Sequence, residues 1–494
     1  MNRKTSLLLL AFALNAFSRD HFLREEYRRD FDKTISIQSA QRVSLEHKFG
    51  DVVIHTHPQQ DVVIHAEIRV SASDSAEAHQ YADRVEIQVE PSSTELFIRT
   101  RYPETPKSIF GMHNISYSVH YDLLVPESSP VQIRNSFGAV LATGLRAGSD
   151  IVTSHGELRF HDGRGTQRLE DSFARVELSH NEGDVTIDTT NGSVDASDVK
   201  GALTIRDRFA RVTAARVSNR VSITNGNGEV DVNDCGGDSE IKSSFGSILV
   251  HTVHGTLTVN NTNGRVDATN IGGSATLNTT FGDVTFLDIG RQLSIHSNNG
   301  KVSGNKVGGA LTVIASFGAV QVSDIQRELR IDSQNGEVTV DKIGGPAEIK
   351  TSFGSVRATN VAGLLTVNNN NGSVKATTLQ GAHVHTSFAA VFLDNVTGPI
   401  DVQDQNGSVE ATSELRNNCQ PINIRTSFGA IRVHLPPDAS YKVYAKTSFG
   451  KIRSDFPLTM QGSLNSDEVN GTLGAGHCEL SLADQNSSIE ILKQ

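Results

Sequence analysis

Tryptophan is absent from the 494 residues and cysteine occurs only three times. So small and odd a number of cysteines excludes a disulfide framework as the element that organises the chain. Basic clusters are missing too. With a formal net charge of −11 and no stretch in which Lys and Arg interleave with aromatics, the chain lacks the surface that nucleic acids or anionic membranes require. Beyond the N-terminus no apolar run is long enough for a membrane helix. No GxSxG, HExxH or phosphate-cradling glycine loop occurs, nor the GGxGxDxUx calcium repeat.

Glycine, by contrast, occurs 42 times, and its placement is periodic. Phe137, Phe173, Phe209, Phe245, Phe281, Phe317 and Phe353 lie 36 residues apart, each next to a small residue, and Gly156, Gly192, Gly228, Gly264, Gly300, Gly336 and Gly372 keep the same interval in the opposite phase. The elementary step is therefore eighteen residues, with Phe-Gly and Asn-Gly halves alternating.

If the Phe or Asn is taken as position zero, apolar columns fall at minus six and minus four (Leu293, Ile295), plus three and plus five (Val284, Phe286), and plus eight (Ile289, Val307). Spacing by two marks short strands with one buried face, where a helix would space its apolar residues by three and four. Such a unit cannot bury its apolar face alone and must stack on copies of itself. The expected fold is all-β: a parallel β-helix, or β-solenoid, right-handed, with about 18 residues per coil and a small α+β capping insertion near the N-terminus.

The corners follow. Asn-Gly and Gly-Gly (Gly236, Gly272, Gly308, Gly344) are expected to supply positive φ. Asp or Asn before the plus-eight column (Asp198, Asp234, Asn270) suits a side chain bonded to its own turn. If strand alternation continues through the corner, Phe281 and its equivalents point inward as fillers, with Asn299 and its equivalents bonded to a neighbouring turn.

Along the chain, residues 1–18 read as a secretory signal with Arg3, Lys4 and the apolar Leu7–Leu14, the alternative being an uncleaved anchor or a disordered tail. Residues 19–33 read as a charged linker. The first coil and the capping region occupy 34–130, where Val43, Leu45, Phe49, Val52 and Ile54 match the offsets and a helix is expected from Ser75 to Arg84, capped by Ser73 or Ser75. Regular repeats fill 131–437, and irregular coils fill 438–494. Cys235 falls in the plus-eight column as a buried apolar residue. Cys419 and Cys478 are left either free or bridged.

The opening coil with Phe49-Gly50-Asp51-Val52, the Ser-Phe-Gly and Asn-Gly turns, and the closing Gly471-Thr472-Leu473-Gly474-Ala475-Gly476 resemble a bacterial family of repeated β-strand proteins labelled adhesins, the domain of unknown function 4097. The resemblance implies a right-handed β-helix, secreted, periplasmic or in the cell envelope, with no established activity. It carries over no catalytic, cofactor-binding or metal residue.

Three constellations are candidate sites. His55 and His57, with His65 near, and His383 with His385 sit at solvent-facing offsets, where a metal competes with plain surface residues. Asp195, Asp231 and Asp267 form an outward stripe whose members are about 10 Å apart, too far for one calcium ion. Carboxylates in a groove would suit a polysaccharide lyase, but the loops are too short for groove walls, except in 101–114 and 414–421. The expectation is a non-enzymatic surface-binding protein without cofactor or metal, its partner a glycan or protein of a cell surface or envelope. The alternatives are a scaffold without ligand and a carbohydrate-active enzyme.

Overall fold

The structure is a computed structural model that describes residues 25–104, 115–414, 419–460 and 467–494. The signal segment 1–18 and most of the two loops considered as groove walls lie outside the described residues. Each lap contributes two strands. Leu293–Asn299 runs up to an Asn-Gly corner and Val302–Val307 leaves it. The first pairs in parallel with Ala275–Phe281 and Leu311–Phe317, the second with Val284–Ile289 and Val320–Ile325. Leu293 stands opposite Leu311 and Val302 opposite Val320, so like lies over like at a step of eighteen. From Phe137 to Phe428 about seventeen such laps stack, and steps of ~4.8 Å make a rod of roughly 77 Å.

The apolar columns meet between the two sheets. Leu293, Val302, Val307 and Ile289 are fully buried, as are their counterparts in the other laps, and Cys235 takes its place among them. A single lap would leave this face half in water. Its burial exists only by stacking, which makes the rod stable as an array rather than lap by lap.

One buried column is polar. From Phe137 onward, two residues before each corner residue stands Asn, Thr, Ser, Asp or, once, Ala, with His47 in that place before Phe49, and these side chains are buried. The amides, carboxylates and some of the hydroxyls satisfy the turn backbone: the Asn261 amide donates to the carbonyls of Gly246 and Gly264 at 3.1 Å each, and the Asp171 carboxylate accepts from the N–H groups of Phe173 and Ala174. The hydroxyls of Thr153, Ser243, Thr279, Ser297, Ser333 and Thr386, by contrast, have no hydrogen-bond partner among the described residues. Burial pushes the Asp171 and Asp404 carboxyls above the ordinary carboxylate range, opposed by those backbone donors.

The two corners use glycine for different reasons. Gly282 has φ +136°, and an added Cβ would fall 2.1 Å from the Gly264 carbonyl oxygen of the lap below. The Gly-Gly corner departs from expectation: Gly236 does not adopt positive φ, and its glycine is required because a Cβ would sit 2.4 Å from Ser218 O. Positive φ belongs instead to the residue before the plus-eight column, as in Asp198 (φ 59°), Asp234 (61°) and Asn270 (58°). Asp and Asn tolerate this left-handed conformation. The Asp198 side chain bonds Arg216 of the next lap at 2.7 Å.

Both ends depart from a simple stair. At the N-terminus the lap of Arg42–Glu46 and Val52–His57 lies between Glu95–Arg101 with Ser116–Pro126 on one side and Val131–Arg134 with Val140–Thr143 on the other. Residues 25–33, expected to be a linker, belong instead to the strand Glu25–Ser36, antiparallel to Asp61–Ala72, which in turn pairs with Ser116–Pro126. Seven of its twelve residues are charged, the composition that protects an open sheet edge. The helix Ser75–Asp83 covers this cap and is capped by Asp74, not by Ser73 or Ser75. Beneath it Tyr81, Tyr117, Tyr102 and Phe49 pack ring against ring, around a buried His47 whose pKa burial lowers to about 4.

At the other end the last lap, Cys478–Ala483 and Ile489–Lys493, inserts between Ile422–Arg425 with Ile431–Leu435 and Tyr441–Lys446 with Ile452–Ser454. Cys419 and Cys478 are joined in a disulfide that fastens this inserted lap to the rod.

Candidate functional site

The corner Phe residues do not point inward. Phe281 is 51% exposed, Phe353 64% and Phe449 83%, and the rings from Phe137 onward are exposed in the same way. Strand alternation ends at the buried polar residue two before, Thr279 in this lap. The glycine that follows turns the chain with positive φ, and the ring swings out of the pleat.

Phe and Asn share one column in register. Asn263 stands opposite Phe281, Phe281 opposite Asn299 and Asn299 opposite Phe317. The alternation also survives the rearranged C-terminus, where Asn486 of the inserted lap bonds Ser427 and adjoins Gln485, whose carbonyl accepts from Phe449 N. Spatially the order is Phe428, Asn486, Phe449.

Several of the Asn side chains donate to the lap beneath, Asn191 to Ser172 O at 3.4 Å, Asn263 to Ser244 O at 3.5 Å, Asn406 to Ser387 O at 3.2 Å and Asn486 to Ser427 O at 2.9 Å. The expectation that this Asn bonds a neighbouring turn therefore holds for these four. At the N-terminal end His155 replaces Asn, and the rings stack without a gap, Phe137 to His155 and His155 to Phe173 at 4.6 Å each.

The result is one exposed stripe along the rod, an aromatic ring every second lap, ~9.6 Å apart, with amides and hydroxyls between. The sequence already held the signal for this, because a column that takes Phe and Asn by turns cannot be a core column.

The other candidates resolve differently. His55 is exposed, while the His57 imidazole lies 2.7 Å from Asp61 O and His65 pairs with Asp32 at 2.7 Å. His383 pairs with Asp401 at 2.9 Å and His385 faces solvent. Among the described residues no three His, Cys, Asp or Glu side chains converge as a metal would require. Asp195, Asp231 and Asp267 each pair with an arginine, respectively Arg175, Arg211 and Arg265. A charged groove runs along the opposite corner past Arg164, Glu182, Asp198, Lys200 and Arg216. Lys200 and Arg164 hold Glu182 at about 2, and Arg216 holds Asp198 at about 2. Acids so placed are ionised at neutral pH and are poor proton donors for glycosidic cleavage.

A family model described as Toastrack DUF4097 matches residues 288–491. No curated protein matches the chain. A crystal structure from Clostridium sporogenes, provisionally named a cell adhesion protein, is similar at 12% identity over 46% of this chain and 99% of its own, with a TM-score of 0.19. At that score the two superpose too poorly to transfer a role.

Proposed function

We propose, for a chain whose residues 288–491 belong to the Toastrack DUF4097 family, that the protein is a non-enzymatic, adhesin-like rod of the cell surface or envelope that engages an extended partner along its Phe/Asn corner. The observation that carries this reading is the stripe of exposed rings, continued from Phe137 to Phe449. Exposed apolar surface of that extent is rare on a protein that meets only water and marks a contact surface. Each ring alone binds weakly. A regular row of them multiplies weak contacts into avidity without any deep pocket.

The disulfide between Cys419 and Cys478 suits an oxidising compartment, in keeping with the signal segment read from the sequence. A scaffold without a ligand has no use for the stripe, and the paired acids of the opposite groove disfavour a glycoside hydrolase that needs a protonated carboxyl. The test compares wild type with the triple variant Phe281→Asn, Phe317→Asn, Phe353→Asn for retention on cell-envelope preparations, on immobilised glycans and on a surface bearing the protein itself, alongside an assay for unsaturated sugar products. Retention lost in the variant, with no product formed by either, is the expected result. Equal retention of both proteins, or product formation, overturns the reading.

A further inference from the structure

Building on the binding stripe proposed above, we infer that its partner is a second copy of the same stripe, the two rods lying antiparallel and offset by one lap so that the Phe rings of each enter the gaps over the Asn residues of the other.

The alternation is what such a contact needs. Rings two laps apart leave ~9.6 Å between them, so a ring inserted midway lies ~4.8 Å from each neighbour, within the range of paired aromatic rings. The Asn between them is shorter, and in four laps its amide is drawn onto the lap beneath, which keeps the gap open. A row of Phe alone would present a ridge with no room for a partner's ring.

Charge agrees. The whole chain carries −11, so two copies repel in general, yet from Gly226 to Gly450 no corner residue at minus one, zero or plus one is charged. The neutral stripe is where two such rods can meet.

The area is sufficient. The seven rings of this neutral stretch, Phe245 to Phe449, are each at least 51% exposed, roughly 100 Å² apiece, or about 1,400 Å² for two copies. Stable interfaces of standard size bury about 1,200–2,000 Å². The antiparallel arrangement makes the contact two-fold and closed, whereas parallel rods would leave unmatched ends.

The experiment is sedimentation equilibrium of the full chain, wild type against two stripe variants. Wild type sediments as a dimer of 53.2 kDa chains. Phe281→Asn, Phe317→Asn, Phe353→Asn removes three knobs, and the dimer dissociation constant rises at least ~100-fold. Asn299→Phe, Asn335→Phe fills two gaps, and it too weakens the dimer, although it adds apolar surface. Adjacent stacked rings are tolerated in the fold, as Phe49 on Phe137 at 5.3 Å shows, and circular dichroism confirms folding of each variant. A dimer tightened by the Asn→Phe changes overturns the interdigitation. A monomeric wild type that is retained on glycan through its Phe residues overturns the self-contact while the binding stripe stands, and one that is retained on nothing overturns both.

Discussion

Serine in place of Cys419 opens the one covalent tie in the rod. The bridge closes a loop of 59 residues, which on the chain-entropy account removes about 14 cal/mol/K from the unfolded ensemble, or about 4 kcal/mol at 25 °C. In a solenoid each lap touches only its neighbours, so the loss is local. The lap that depends on the tie is the inserted one, Cys478–Ala483 and Ile489–Lys493, which must leave its slot between two other laps for the end of the rod to open. Native-state hydrogen exchange reads this directly. About 4 kcal/mol corresponds to a ~1,000-fold rise in the opening equilibrium, expected in the last lap and its partner Tyr441–Lys446, while mid-rod strands such as Leu293–Asn299 keep their protection. Unchanged exchange in the last lap, or a loss spread evenly along the rod, would refute the reasoning.

Three further outcomes follow from the packing. Gly282→Ala combines positive φ with a Cβ 2.1 Å from a carbonyl oxygen; it costs about 1–3 kcal/mol in backbone strain alone, visible as a lower denaturation midpoint, and an unchanged midpoint would place that corner elsewhere. Phe286→Ala empties a buried site and costs about 3–5 kcal/mol in chemical denaturation, a cost below 1 contradicting its place in the core. His47, lowered to about 4 in the fold from 6.5, binds a proton in the unfolded chain first, so the stability it contributes is full above pH 6.5 and lost as pH falls toward 4, about 3 kcal/mol in all. Protection factors in Ser116–Pro126, referenced to the slower intrinsic exchange at low pH, then fall over that pH window in wild type, and a His47→Gln variant with the same pH profile would exclude the histidine as the cause.

Much of the fold was legible because a solenoid writes its period into the chain. The columns at minus six, minus four, plus three, plus five and plus eight are the buried ones, and the irregular coils of 438–494 were legible although the place of the last lap in the stack was not. Spatial insertion leaves no mark in a linear pattern. The strand Glu25–Ser36 was hidden because an exposed edge selects charge, and charge without an apolar run also describes a linker. The corner departs from the reading on periodicity. Carrying the strand alternation through the corner puts Phe inward, whereas the inward place belongs to the polar residue two before it, exemplified by Asn261, whose amide ties the turns of successive laps. The strict exchange of Phe for Asn at one register position was the available clue.

The claim beneath the functional reading is that the corner rings serve contact and contribute little to folding. Equilibrium unfolding of Phe281→Asn, Phe317→Asn, Phe353→Asn tests it most directly. The account predicts a midpoint and slope close to wild type, within about 0.5 kcal/mol per site, as for surface substitutions. A loss of several kcal/mol per site, comparable with Phe286→Ala, would place the rings in the core and contradict it.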